Sequence, residues 1–157
     1  RSKAQAEAEV TAAGVESLIV RPSLIYGWQP SIDRQTRWII TSLRNGDPLR
    51  LFTDELRCPI WVETLAAAIV KLAALSVTGI LHIAGAQTLS RYEFGVRLAR
   101  FHGLDPAPII AARSRESGLI RPLDCTLDCS RAQTLLRTSF PGVDAVLAHQ
   151  RPTGDPL

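Results

Sequence analysis

The 157-residue chain has no methionine, only two lysines (Lys3 and Lys71) and only three cysteines. It also lacks any long apolar run. The longest stretches, Leu65 to Val70 and Leu72 to Leu75, are broken by Lys71 and fall well short of the roughly 18 residues a membrane span needs, so no membrane role is expected. No charged segment leads into an apolar one at the start, which argues against a secretory leader. An odd number of cysteines (Cys58, Cys125 and Cys129) suits reduced thiols and a cytoplasmic location. Cys125 and Cys129 lack the spacing and the second ligand pair of a zinc site, and His82, His102 and His149 lie far apart with no HExxH pattern, so no metal is expected. A G-x-S-x-G elbow, a phosphate-binding glycine loop and a G-x-G-x-x-G turn are missing as well, which leaves hydrolase and nucleotide-loop chemistry without residues. The net charge of +3 rests on dispersed arginines, and a nucleic-acid surface needs clustered ones.

What is present is the composition of one globular domain, 46% hydrophobic and 21% charged. Residues 3–13 predict a helix with Lys3 paired to Glu7 and a stop at Gly14. Residues 15–20 predict a strand closed by Arg21-Pro22. A helix over about 34–45 is expected to turn Trp38, Ile39 and Leu43 inward, followed by a strand at 49–52. A helix capped by Thr64 is expected to bury Leu65, Ala66, Ile69, Val70, Leu72 and Ala73. A strand follows at 80–84. Ser90-Arg91-Tyr92-Glu93 is a capping box, with Leu89 and Phe94 as its hydrophobic staple, and predicts a helix to His102. Further elements are expected at 108–111, at 130–133 with a second capping-box pattern, and at 144–149. Strands alternating with helices predict α/β architecture with parallel strands. The low strand count, and a start at Arg1 inside a helical pattern, lead to the expectation that residues 1–157 are the closing half of a larger α/β fold.

Several short segments carry a resemblance through their joint order. They are Ser2-Lys3-Ala4 with Ala6-Glu7, Arg21 to Gly27 (RPSLIYG), Arg57 to Ala66 (RCPIWVETLA), Gly79 to Gly85 (GILHIAG), Leu89 to Phe94 (LSRYEF), Arg121-Pro122-Leu123-Asp124, and Leu127 to Ala132 (LDCSRA). Over roughly residues 1–138 this order resembles the C-terminal half of the extended short-chain dehydrogenase/reductase family, in its dTDP-4-dehydrorhamnose reductase-like branch. The resemblance implies that residues 1–157 are the C-terminal part of a Rossmann-like doubly wound parallel sheet with a small α/β substrate-binding region (about 28–75 and 104–138), the cofactor-binding N-terminal half lying outside these residues.

The resemblance implies an NAD(P)-dependent reductase of a nucleotide-activated 4-keto sugar, with NADPH favoured. An epimerase or dehydratase of the same family and a non-catalytic binding relative are the alternatives. A homodimer of the whole protein is compatible with the family. Lys3 looks like the lysine of a Tyr-x-x-x-Lys pair whose tyrosine would precede Arg1. An ammonium one helical turn away lowers a phenol pKa from about 10 toward the working range of an acid–base catalyst. By resemblance Lys3 also holds the nicotinamide ribose, Pro22 and Ser23 back the nicotinamide, and Leu24 faces the sugar. Relatives often carry Asn or Trp at the position of Leu24, and leucine offers no hydrogen bond, so the sugar stays open. Arg57 and Arg121 match arginines that bind the substrate diphosphate in relatives, a task suited to the planar guanidinium fork.

Overall fold

The computed structural model describes residues 2–118 and 120–152. In chain order its elements are α1 (Ser2–Ala12), β1 (Leu18–Pro22), β2 (Ile25–Tyr26), α2 (Arg34–Arg44), β3 (Leu49–Phe52), β4 (Leu56–Arg57), β5 (Ile60–Trp61), α3 (Val62–Ala73), β6 (Gly79–Ile83), β7 (Leu89–Ser90), α4 (Arg91–Phe101), β8 (Ile109–Ala112), β9 (Asp124–Cys125), α5 (Ser130–Leu136) and α6 (Val143–His149). A short 3-10 turn, Ser114–Ser117, lies between β8 and β9. Among these residues, no helix is long and apolar enough to cross a membrane.

Pairing is mostly parallel, as the alternation of helices and strands predicts. β1 runs beside β6 with Leu18 opposite Gly79 and Pro22 opposite Ile83. β2 pairs with β5, and β3 with β8, both parallel. β4 lies between β9, parallel to it, and β7, antiparallel to it. Two cores fill the space between these strands and the helices. One gathers Tyr26, Trp28, Ile39, Leu51, Phe94 and Leu98, so α2 and α4 pack over β3 and β8. The other gathers Ile60, Leu65, Leu72, Leu81, Ile83 and Phe140, where α3 and α5 flank β6. Within the first, Tyr26 meets Trp61 and Phe94 edge-on at centroid separations of 5.4 and 5.3 Å, a favoured aromatic geometry.

Local chemistry explains where the elements stop and where the sequence misleads. β1 starts at Leu18 rather than Val15 and extends through Arg21 and Pro22, because its pairing with β6 continues to Ile83. Trp38 is 48% exposed, since the phase of α2 turns Thr36, Ile39, Ile40 and Leu43 inward. In α3 the buried stripe is Leu65, Ala68 and Leu72, while Ile69 and Val70 face outward; a helix apolar on nearly every side does not announce its face. Its cap residue is Trp61, which places Thr64 inside the first turn. α5 is capped at Cys129 without a side-chain bond, and the Ser130 amide donates to Asp128 instead. The Ser90 box forms as read: Ser90 Oγ accepts from the Glu93 amide at 3.1 Å and the Ser90 amide donates to Glu93 Oε2 at 2.8 Å. Gly85, just past β6, lies so close to the Pro59 carbonyl that a Cβ there would stand 2.1 Å from its oxygen.

Candidate functional site

At the carboxyl end of β1 the chain leaves the sheet through Ser23 and Leu24, and two hydrogen bonds tie this exit to the segment after β4. Ser23 Oγ accepts from the Cys58 amide at 3.1 Å, and the Ile60 amide donates to the Leu24 carbonyl at 2.8 Å. Arg21, Pro22, Ser23, Leu24 and Arg57 thereby line one cleft of about 280 Å³, together with Cys125 and Leu127. Ligands of α/β sheets sit at this end of the strands. Four of the residues singled out in the sequence, Pro22, Ser23, Leu24 and Arg57, meet here.

Lys3 does not line this cleft; it is exposed on α1. Its expected partner Glu7 is engaged elsewhere, because Arg21 Nε donates to Glu7 Oε1 at 3.0 Å and its terminal nitrogen pairs with Oε2. That hydrogen bond from Arg21 holds the Glu7 carboxyl below the usual glutamate range. It also fastens α1, and Lys3 one turn before Glu7, to the end of β1.

Arg57 is heavily used within the protein. Its guanidinium donates to the carbonyls of Leu56 at 2.6 Å, Leu123 at 3.1 Å and Pro122 at 3.1 Å, which bridges β4 to the approach of β9. Arg121 is half exposed one residue before that bridge. Both arginines face one carboxylate: Glu55 Oε2 lies 3.6 Å from Arg57 Nη2, and Glu55 Oε1 lies 3.8 Å from Arg121 Nη1. Glu55 is 3% exposed and accepts from Ser114 Oγ at 2.9 Å. A third guanidinium, Arg91, stands in the same field. Burial pushes its pKa down while the Glu55 charge pulls it back, and it stays protonated as arginines do. Asp124 and Asp33 are within electrostatic range of Arg57 and Arg91 respectively.

Sequence reasoning missed Glu55, Ser114 and Arg91 as parts of this cluster. A signal for Glu55 was present: in an extended segment residues i and i+2 share a face, and Glu55 stands two before Arg57. Nothing local marks Ser114 or Arg91. Burial drives the Tyr26 pKa up, away from neutral-pH chemistry.

Parallel strands flanked by helices, with a cleft at their carboxyl ends and an arginine cluster beside it, place the chain in the Rossmann-like α/β class. The chain matches the RmlD substrate binding domain over residues 1–149 and belongs to that family. A probable low-salt glycan biosynthesis reductase, Agl14, of Haloferax volcanii is 27% identical over 155 residues, covering 94% of this chain and 51% of the relative. A hypothetical dTDP-4-dehydrorhamnose reductase from Sulfolobus tokodaii superposes with a TM-score of 0.68 at 30% identity, over 84% of this chain and 46% of that one. The fold also matches dTDP-4-dehydrorhamnose reductase from Bacillus anthracis in complex with NADP, with a TM-score of 0.72 at 19% identity, over 83% and 46% of the two chains. The chain thus spans about half the length of the relatives it matches.

Proposed function

We propose that these residues are the C-terminal, substrate-binding part of an NAD(P)-dependent oxidoreductase that reduces a nucleotide-activated 4-keto sugar. The observation that carries this reading is the meeting of Pro22, Ser23, Leu24 and Arg57 around one cleft at the carboxyl end of β1, with Arg121 joined to Arg57 through Glu55. Relatives named as reductases in sugar and glycan biosynthesis support it. Family membership supports NADPH as the reductant.

The residues present suit a nicotinamide. Pro22 offers an exposed apolar ring at the strand end, and Lys3 an exposed ammonium on the helix pinned beside it. When bound, the cofactor supplies hydride to the keto carbon. Lys3 would hold the ribose and would lower the pKa of a tyrosine one turn before it in the whole protein, so that this phenol could protonate the sugar oxygen. Leu24 packs against the sugar, while Arg57 and Arg121 fix the diphosphate and so orient the keto carbon. The free thiols of Cys58, Cys125 and Cys129 support placing the protein in the cytoplasm.

The test is turnover by the full-length protein of a dTDP-linked or UDP-linked 4-keto-6-deoxyhexose with NADPH or NADH. Stoichiometric oxidation of the nicotinamide with formation of the 4-hydroxy sugar is expected. An epimerised product without net NADPH consumption would assign the epimerase chemistry instead, and absence of nucleotide-sugar binding would remove the reading.

A further inference from the structure

One carboxylate in this cluster is buried away from the residues that line the cleft. Glu55 lies in the turn between β3 and β4 and is almost completely buried. A buried carboxylate carries a desolvation cost of several kcal/mol unless its oxygens are well partnered. The partners of Oε1 lie on one segment. Ser114 Oγ donates to Oε1 at 2.9 Å, and Arg121 faces the same oxygen. Next to Glu55, Asp54 Oδ1 accepts from the Ser114 amide at 2.7 Å. Two residues on, Arg57 holds the carbonyls of Pro122 and Leu123. The described ends of this strap, Ser114 on one side and Arg121 to Leu123 on the other, are therefore each gripped by residues 54–57. The backbone of Glu55 is fixed in turn, because its carbonyl accepts from the Arg91 amide at 3.1 Å.

We infer that Glu55 is the positioning residue of the arginine pair: it sets Arg121 and its strap against Arg57 so that both guanidiniums address one phosphorylated ligand. The inference rests on the diphosphate reading above and adds to it a residue that touches neither substrate nor cofactor. Its two oxygens face the two arginines separately, Oε2 toward Arg57 and Oε1 toward Arg121, so the carboxylate acts as a spacer between them. A simple charge contribution has the opposite sign. Negative charge beside two guanidiniums opposes binding of an anion, and its removal alone would tighten binding. Loss of positioning weakens it.

The direction of the change in Glu55→Gln therefore decides the matter. In the full-length protein, dTDP and UDP serve as probes in titration calorimetry, and backbone amide exchange is followed across 114–123. Glu55→Gln is expected to raise the Kd of the better probe by about tenfold, the scale of one hydrogen bond to a charged group, with cofactor affinity unchanged. Faster exchange in the strap accompanies it. Ser114→Ala, which removes only the hydroxyl that orients Oε1, is expected to move both readouts the same way by a smaller amount. Unchanged or tighter nucleotide binding in Glu55→Gln, with the strap exchanging as in the parent, overturns the inference. Should Glu55→Gln fail to fold, Ser114→Ala decides alone, and parental affinity and exchange in that variant overturn the proposal. If the parent binds neither probe, the diphosphate reading falls, while strap exchange in the variants still shows whether Glu55 holds Arg121 in place.

Discussion

Arg21 and Glu7 form a two-pronged pair that joins the exit of β1 to the middle of α1, with Arg21 Nε donating to Glu7 Oε1 at 3.0 Å. α1 has no buried residue of its own, so this pair is its visible tether to the sheet. Lys3 depends on that tether for its place. In the full-length protein Lys3→Ala is expected to lower kcat by roughly 10²-fold, the scale of impaired acid–base catalysis. Arg21→Ala is expected to lower kcat by a smaller factor with the nucleotide-sugar KM nearly unchanged. Steady-state kinetics at saturating NADPH checks both; a normal rate in Lys3→Ala would return that lysine to a surface role.

The arginine variants separate ligand binding from packing. Arg57→Ala and Arg121→Ala are each expected to weaken nucleotide-sugar binding by about 1.5 to 3 kcal/mol, as for charge-assisted hydrogen bonds, with cofactor affinity unaffected. Arg57→Ala should lower the urea midpoint more than Arg121→Ala: both remove a partner of the buried Glu55 carboxylate, but only Arg57→Ala also removes a donor to three backbone carbonyls. Titration calorimetry beside urea unfolding reads both effects.

The Ser90 box predicts acid sensitivity with a definite sign. Hydrogen bonds from Ser90, its amide first and then its hydroxyl, hold the Glu93 carboxyl below the usual glutamate range. A carboxylate with a lowered folded pKa contributes stability that is complete above its unfolded value and is lost as pH falls through the folded one. Ser90→Ala is expected to cost about 1 kcal/mol at neutral pH and to flatten the stability profile on the acid side of the ordinary glutamate pKa. Urea unfolding across that range measures it.

Gly85→Ala is expected to destabilise by about 1–3 kcal/mol, as overpacking does, because the new methyl would meet the fixed backbone oxygen of Pro59. Gly14→Ala meets no atom and carries only the strain of its positive φ. Thermal melts of the two variants should therefore rank with Gly85→Ala far lower.

A polypeptide of these 157 residues alone is expected to show no turnover of NADPH with any 4-keto nucleotide sugar, since it holds neither a glycine-rich dinucleotide turn nor a tyrosine four before Lys3. Among the described residues β1 pairs only with β6, and Ile80, Ile69 and Val70 are exposed, so the isolated chain should self-associate. Sedimentation tests this; a monodisperse monomer unfolding cooperatively with more than about 5 kcal/mol would mark a complete domain.

Much of the architecture was legible where the signal is local. The Ser90 cap and the glycine stop at Gly14 read correctly, because backbone sterics and caps act within a few residues, whereas the strand before Arg21-Pro22 was expected three residues too early and to close before Arg21. The faces of α2 and α3 read only in part: Ile39, Leu43, Leu65 and Leu72 are buried as expected, while Trp38, Ile69 and Val70 are exposed. Which of Trp38 or Ile40, and of Ala68 or Val70, points inward depends on partners dozens of residues away, α4 for α2 and α5 for α3. The site behaves likewise. Pro22, Ser23 and Leu24 are contiguous and Arg57 sits in a recognisable segment, whereas Ser114 joins Glu55 only after β8 has paired with β3.

That pairing scheme also constrains how the protein comes to exist. Leu18 waits for Gly79, Leu49 for Ile109 and Leu56 for Asp124. No parallel pair can close as a local hairpin, and each must first pay the entropy of a long loop. On the ribosome, β3 and β4 remain without their parallel partners until most of the chain has emerged. Folding is then gated by the appearance of β8 and β9, and slow, non-local assembly is the kinetic signature expected of such a topology.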